Sequence, residues 1–276
     1  MSVVEAVLLG IVQGLTEFLP ISSSGHLVLA KSILGIHEDG ITFEIFVHFG
    51  TLIAVVTVYR NDLWQILVDV KAHLLQKGRT EEAGEPDRTV SQGVRLFWLI
   101  VVGTVPTAVL GLLFRDFFET AFSSTTFVSG ALIFTGLILA ATRFAKEKQL
   151  PLSFPKSLLV GLAQVVAFFP GVSRSGTTIS TALALGIHPQ ESARYSFLLA
   201  VPLILGVTLI KSYELLLAPP PFANLIDYAV GCVAAFVSGL WAIHWLVAVL
   251  QKGRFDRFGY YCLAVGILGL TLNCMT

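Results

Sequence analysis

Glu17 is an acid inside an otherwise apolar stretch, and Gln13 precedes it by four residues, so both lie on one helix face. An ionisable group placed among apolar neighbours is costly and usually functional. Pro20, Ser22, Ser23, Ser24, Gly25 and His26 follow at once. Pro20 and Gly25 bracket a turn, and the N–H groups and hydroxyls of such a turn can cradle an anion. His26 stands just past it, where an imidazole suits proton transfer.

A second cluster runs Pro170-Gly171-Val172-Ser173-Arg174-Ser175-Gly176-Thr177-Thr178. Arg174 is a permanent charge amid apolar residues, and its fork of donors matches phosphate. Ser173, Ser175 and Thr178 add hydroxyls, and Gly176 lets backbone approach a ligand. A helix starting here would aim its N-terminus at a bound phosphate. Together the clusters hold a carboxylate, an amide, hydroxyls, an imidazole and a guanidinium, the parts needed to hydrolyse a diphosphate. Glu17 is the expected ligand of a divalent cation, Mg2+ or Ca2+, that offsets phosphate charge. Arg174 would stabilise the transferring group. A hydroxyl, an imidazole or a water would attack. Glu17, His26 and Arg174 are the expected working residues, with Ser23 among the hydroxyls that could attack. Gln13, Ser22, Ser24, Gly25, Ser173, Ser175, Gly176 and Thr178 are the expected substrate-binding set.

Residues of these types work together only if something positions them. The 276-residue chain is 55% hydrophobic and 13% charged, against about 25% charged in soluble domains. Eighteen basic and eighteen acidic residues cancel, which leaves no basic surface for nucleic acid. The first basic residue is Lys31, unlike the basic start of a signal peptide, so the first apolar segment is expected to belong to the fold. Cys232, Cys262 and Cys274 have no metal-type spacing. The composition points to an all-α integral membrane protein.

Six stretches are apolar over the length a spanning helix needs: about 43–59, 95–114, 125–142, 191–210, 227–250 and 258–275. Two more, about 2–37 and 157–188, are interrupted by Pro, Gly and Ser or Thr. Such breaks are tolerated where protein or a cavity surrounds them, so both are expected to be re-entrant helix–loop–helix hairpins. Basic residues concentrate in 60–94, 143–156 and 252–257. By the positive-inside rule these are cytoplasmic, while 115–124 and 211–226 are external. The two hairpins would then enter from opposite faces.

An internal match agrees with this. A shift of 151 residues places Gly10 on Gly161, Gln13 on Gln164, Phe18 on Phe169, Ser22 on Ser173, Ser24 on Ser175 and Gly25 on Gly176. It also places Leu34-Gly35-Ile36-His37 on Leu185-Gly186-Ile187-His188. Three spans follow each copy, and an odd number of crossings inverts the second. The expectation is one membrane domain, 1–276, with repeat 1 over about 2–142 (loop 60–94 included) and repeat 2 over about 157–275. Inverted repeats with broken helices are a known plan for membrane sites, and they also suit transport. A polyprenyl-phosphate flippase is therefore the rival reading.

These clusters resemble the undecaprenyl-diphosphate phosphatase family of the bacitracin-resistance type. Its signature is an E/Q-x-x-x-E segment leading to a Pro-x-Ser-Ser-x-Gly/Ala-His turn, followed later by PGxSRSxxT. Here these read Gln13 to Glu17, Pro20 to His26 and Pro170 to Thr178. The 43–50 segment, FEIFVHFG, and the span pattern are also similar. The resemblance implies removal of the terminal phosphate of undecaprenyl diphosphate with a divalent cation, recycling the carrier for cell-wall synthesis. It implies Glu17, Ser23, His26, Ser173, Arg174 and Thr178 as working residues, with Ser23 attacking or positioning water and His26 as acid/base. Gln13 stands where many members carry a second Glu. The expected setting is the bacterial cytoplasmic membrane with the site opening outward. The expected partner is a polyprenyl diphosphate lipid, and a homodimer stays open. Glu44 and His48, four apart, are candidates for the site entrance.

Overall fold

The structure is a computed structural model. It describes residues 1–35, 41–76, 88–114, 117–118, 124–145, 148–217 and 225–275. His37, Arg115, Lys146 and the loop charges from Lys77 to Asp87 lie outside the described residues. Helices dominate: α1 Val3–Phe18, α2 Ser23–Leu34, α3 Ile41–Val58, α4 Arg60–Gln76, α5 Arg88–Leu113, α6 Thr125–Ala141, α7 Phe154–Val165, α8 Arg174–Ala184, α9 Pro189–Leu217, α10 Leu225–Gln251 and α11 Arg257–Met275. The chain is an all-α, multi-pass membrane protein.

Among the described residues, four segments are long and apolar enough to cross a bilayer: Gln92–Leu113, Thr125–Phe144, Pro189–Tyr213 and Leu225–Gln251. The expected span at 43–59 falls on α3, which meets the same test only together with α4, bent 74° from it. The expected span at 258–275 falls on a shorter apolar helix, Arg257–Leu272. Arg194 of α9 clamps the bend by donating to Asp62 from Nε at 3.0 Å. Asp69, 1% exposed, accepts from the Gly93 N–H at 3.0 Å and ties α4 to α5.

Both interrupted stretches are helix–break–helix units, and local chemistry sets their ends. Ser2 and Glu5 form a capping box that starts α1. Pro20 disfavours helical backbone at Leu19, and α1 stops there. Ser22 then caps α2, with its hydroxyl accepting from the Gly25 N–H. In the second stretch α7 and a 3-10 turn, Val166–Phe168, end before Pro170. Ser173 caps α8 by accepting from the Gly176 N–H.

Each first helix buries itself against a helix from the other half of the chain: α1 on α10, and α7 on α5. The approach is close enough to need glycine. A Cβ on Gly10 would lie 2.3 Å from the Gly231 carbonyl oxygen, and one on Gly161 would lie 2.2 Å from that of Gly103. Gly10 and Gly161 are the pair that the 151-residue shift superposes. Helices α6 and α11 pack along each other and brace both breaks. The main core, around Phe18, Leu139, Ile179, Phe197, Leu246 and Phe255, draws on both halves.

Candidate active site

The two breaks meet. Ser175 of the second donates its hydroxyl to the Leu19 carbonyl of the first at 3.2 Å. The backbones touch closely enough that a Cβ on Gly25 would lie 3.2 Å from the Gly171 Cα. Two helix N-termini, those of α2 and α8, therefore open beside one another. Each brings backbone donors and the positive end of a helix dipole, which together favour an anion.

Across this junction Arg174 Nη2 donates to Glu17 Oε1 at 2.9 Å. The side chains are 12% and 9% exposed. The other carboxylate oxygen, Oε2, accepts from the Ser23 hydroxyl at 2.6 Å and from Gln13 Nε2 at 3.0 Å. Glu17 thus gathers three other expected residues, Arg174, Ser23 and Gln13, around its carboxylate. Two atoms here are buried without a hydrogen-bond partner among the described residues, Arg174 Nη1 and Gln13 Oε1. An unpaired buried polar atom is expensive. A phosphate oxygen would satisfy the first, and a cation or a hydroxylic donor the second.

A divalent cation fits this donor set. Glu17 and Gln13 Oε1 offer oxygen ligands to a hard cation, and Mg2+ typically takes one or two carboxylates and completes its shell with phosphate oxygens and water. Among the described residues no group of three His, Cys, Asp or Glu forms a cation cage, so the protein's share of such a site centres on Glu17.

His26 lies on α2 one turn after Ser23, yet no hydrogen bond joins the two. Its Nδ1 is 2.9 Å from the Ser22 carbonyl oxygen, which can only accept, so Nδ1 carries the proton. Neutral Nε2 is then an acceptor, and it lies 2.8 Å from the Tyr261 hydroxyl. The sequence expectation is His26 as acid/base, and in the structure its ring bonds Ser22 and Tyr261 while the Ser23 hydroxyl bonds Glu17.

Several expected substrate groups are engaged in scaffolding. Ser22 and Ser173 use their hydroxyls as helix caps, and each hydroxyl also lies 3.3 Å from that of the serine two residues on, Ser24 and Ser175. Ser22 holds a left-handed backbone, φ 70°, a conformation that costs free energy in a non-glycine residue and clusters at functional sites. Thr178 is fully buried; it donates to the Arg174 carbonyl at 2.8 Å and pairs with Ser196 at 2.6 Å. Gly25 and Gly176 supply the N–H groups that the two caps bind. Near the same end of the molecule, Lys31 pairs with Glu44 at 2.8 Å, and His48 Nδ1 is 2.7 Å from the Glu44 carbonyl oxygen.

Three supporting residues escape sequence reasoning. Thr135 of α6 donates to the Gly171 carbonyl at 3.0 Å and accepts from the Ser173 N–H at 3.1 Å, which fixes the second break. Tyr261 holds His26, and Cys262 points its thiol at the Pro20 carbonyl, 3.6 Å away. Their only signal was polarity inside an apolar helix, and Tyr261 reads there as an ordinary interfacial aromatic.

Comparison with known proteins matches residues 6–268 to the family described as bacitracin resistance protein BacA. A relative from Salinibacter ruber, named undecaprenyl-diphosphatase, is 42% identical over 270 residues, covering 97% of this chain and 98% of its own. Relatives of the same name from Korarchaeum cryptofilum and Halothermothrix orenii are 40% and 38% identical, each aligned over 99% of this chain and over 100% and 98% of their own. With the match covering nearly the whole chain and including both helix breaks, this protein belongs to the BacA family.

Proposed function

We propose that the protein hydrolyses undecaprenyl diphosphate to undecaprenyl phosphate and inorganic phosphate. That reaction recycles the carrier for cell-wall synthesis and counters bacitracin. The observation that carries this reading is Glu17 and Arg174, from opposite halves of the chain, meeting between two helix N-termini with a buried guanidinium nitrogen left unpaired. Full-length relatives named undecaprenyl-diphosphatase support the choice of substrate.

In this reading the terminal phosphate sits between the N-termini of α2 and α8. Arg174 turns Nη1 to a phosphate oxygen and keeps Nη2 on Glu17, so the charge pair becomes a clamp on the transferring group. Ser23 already gives its hydrogen bond to Glu17. The carboxylate is therefore placed to take a proton from Ser23 as it attacks, or from a water held beside it. His26 Nε2, once it has taken a proton from solvent, gives it to the undecaprenyl phosphate oxygen as the bridging P–O bond breaks; where Ser23 is the attacking group, water then hydrolyses the phosphoserine to release inorganic phosphate. A divalent cation, Mg2+ or Ca2+, held by Glu17 and Gln13 Oε1 would neutralise phosphate charge. The membrane is the bacterial cytoplasmic membrane, the 60–94 segment is cytoplasmic, and the site opens outward.

The test is phosphate release from a polyprenyl diphosphate by purified protein, with and without a chelator. Release that the chelator stops, and that Arg174→Lys lowers by about 100-fold or more, supports the reading. No release by folded protein with Mg2+ or Ca2+ present would end it.

A further inference from the structure

We infer that Tyr261 is the positioning residue of His26, and that α11 is part of the active site through it. His26 is held at three points. Its Nδ1–H donates to the Ser22 carbonyl at 2.9 Å, the Tyr261 hydroxyl stands 2.8 Å from Nε2, and the two rings are near parallel, 12° apart with centroids 5.6 Å apart. The carbonyl fixes the tautomer, because an oxygen without hydrogen must face the protonated nitrogen. The hydroxyl then donates to Nε2 and holds that lone pair in a set direction. The near-parallel tyrosine ring alongside restricts rotation of the imidazole.

Tyr261 itself is firmly mounted. The next residue, Cys262, is fully buried and bonds the Pro20 carbonyl, so two successive residues of α11 grip the break that carries Ser22 to His26. Behind them α11 lies against α6 at glycine distance: a Cβ on Gly259 would come within 2.7 Å of the Gly136 carbonyl oxygen. The same α6 carries Thr135, which binds the other break. The two helices therefore brace the halves of the site as one unit. Tyr261 is also 44% exposed, so its hydroxyl sits where the imidazole meets the surroundings. It keeps Nε2 an acceptor until a solvent proton takes that lone pair.

The kinetic consequence rests on the hydrolysis proposed above, and the imidazole geometry does not. Two readings on the purified full-length protein separate them. The first is the His26 ring-nitrogen NMR spectrum of 15N-histidine-labelled protein, assigned by its loss in His26→Asn. The second is phosphate release from a polyprenyl diphosphate. Tyr261→Phe keeps the ring and removes the hydroxyl. Its Nε2 resonance is expected to move as the donor disappears. Its kcat is expected to fall by about 10- to 100-fold, part of what a general acid or base contributes, with KM unchanged. Tyr260→Phe, the neighbouring exposed tyrosine, should change neither reading. An unmoved Nε2 resonance in Tyr261→Phe, or an unchanged kcat in an enzyme that is active as wild type, would overturn the inference. If wild-type protein releases no phosphate, the hydrolysis reading fails, and the resonance alone decides the Tyr261–His26 link.

Discussion

Glu17 and Arg174 are both about nine-tenths buried and joined at 2.9 Å, so removing either leaves an uncompensated charge among apolar groups. That costs about 3–5 kcal/mol for a buried pair, whereas replacing both with apolar residues of similar volume is often neutral or stabilising. Glu17→Met and Arg174→Met should each lower the thermal midpoint in detergent, and the double variant should recover most of the loss while staying inactive. A double variant less stable than either single one would mean the two charges do not depend on each other. Glu17→Gln keeps the shape but not the charge, so phosphate release should fall by about 100-fold or more, and the midpoint should fall with it because Arg174 is left without its counter-charge. The acid, the arginine and the serines were legible because such residue types are out of place in apolar sequence. The division of labour among the serines was not. Ser22, Ser23 and Ser24 look alike in one dimension, and only cap geometry separates the Ser22 cap from the Ser23 hydroxyl that reaches Glu17.

At the scale of elements, the breaks at Pro20 and Pro170 and the caps at Ser22 and Ser173 follow from local chemistry and could be read directly. The 74° turn between α3 and α4 could not, because no proline or glycine marks Tyr59. The bend depends on Arg194 and Asp62, distant in sequence. The packing of α1 on α10 and α7 on α5 was equally hidden, since Gly10 and Gly161 reveal their partners only in three dimensions. Their tight contacts make a prediction. Gly10→Ala and Gly161→Ala should each destabilise the fold by about 1–3 kcal/mol, the usual cost of overpacking. Gly206→Ala, with nothing within 4 Å of its Cβ, should instead be neutral or stabilising by up to about 1 kcal/mol, from helix propensity. Thermal midpoints of the three variants check this, and equal effects at all three would contradict the close-approach account.

Across the whole molecule, two halves enter one site from separate parts of the chain, and carbonyls of each break accept from the other half: Leu19 and Pro20 from Ser175 and Cys262, Gly171 from Thr135. The proposed inversion of the halves predicts sidedness. A cysteine at Lys71 should react with an impermeant reagent only after permeabilisation of cells, and one at Tyr213 should react in intact cells. Labelling of both from the same face would remove the topology on which the outward-facing site depends. The central claim is that an acid and a cation from opposite halves act on one diphosphate. An experimental structure with a non-hydrolysable methylene-bridged polyprenyl diphosphate analogue tests it most directly. The account predicts the terminal phosphonate at the N-termini of α2 and α8, with an oxygen about 2.7–2.9 Å from Arg174 Nη1, the range of charge-assisted bonds, and Glu17 still beside Ser23. An analogue bound elsewhere, with Arg174 and Glu17 paired only to each other, would contradict it.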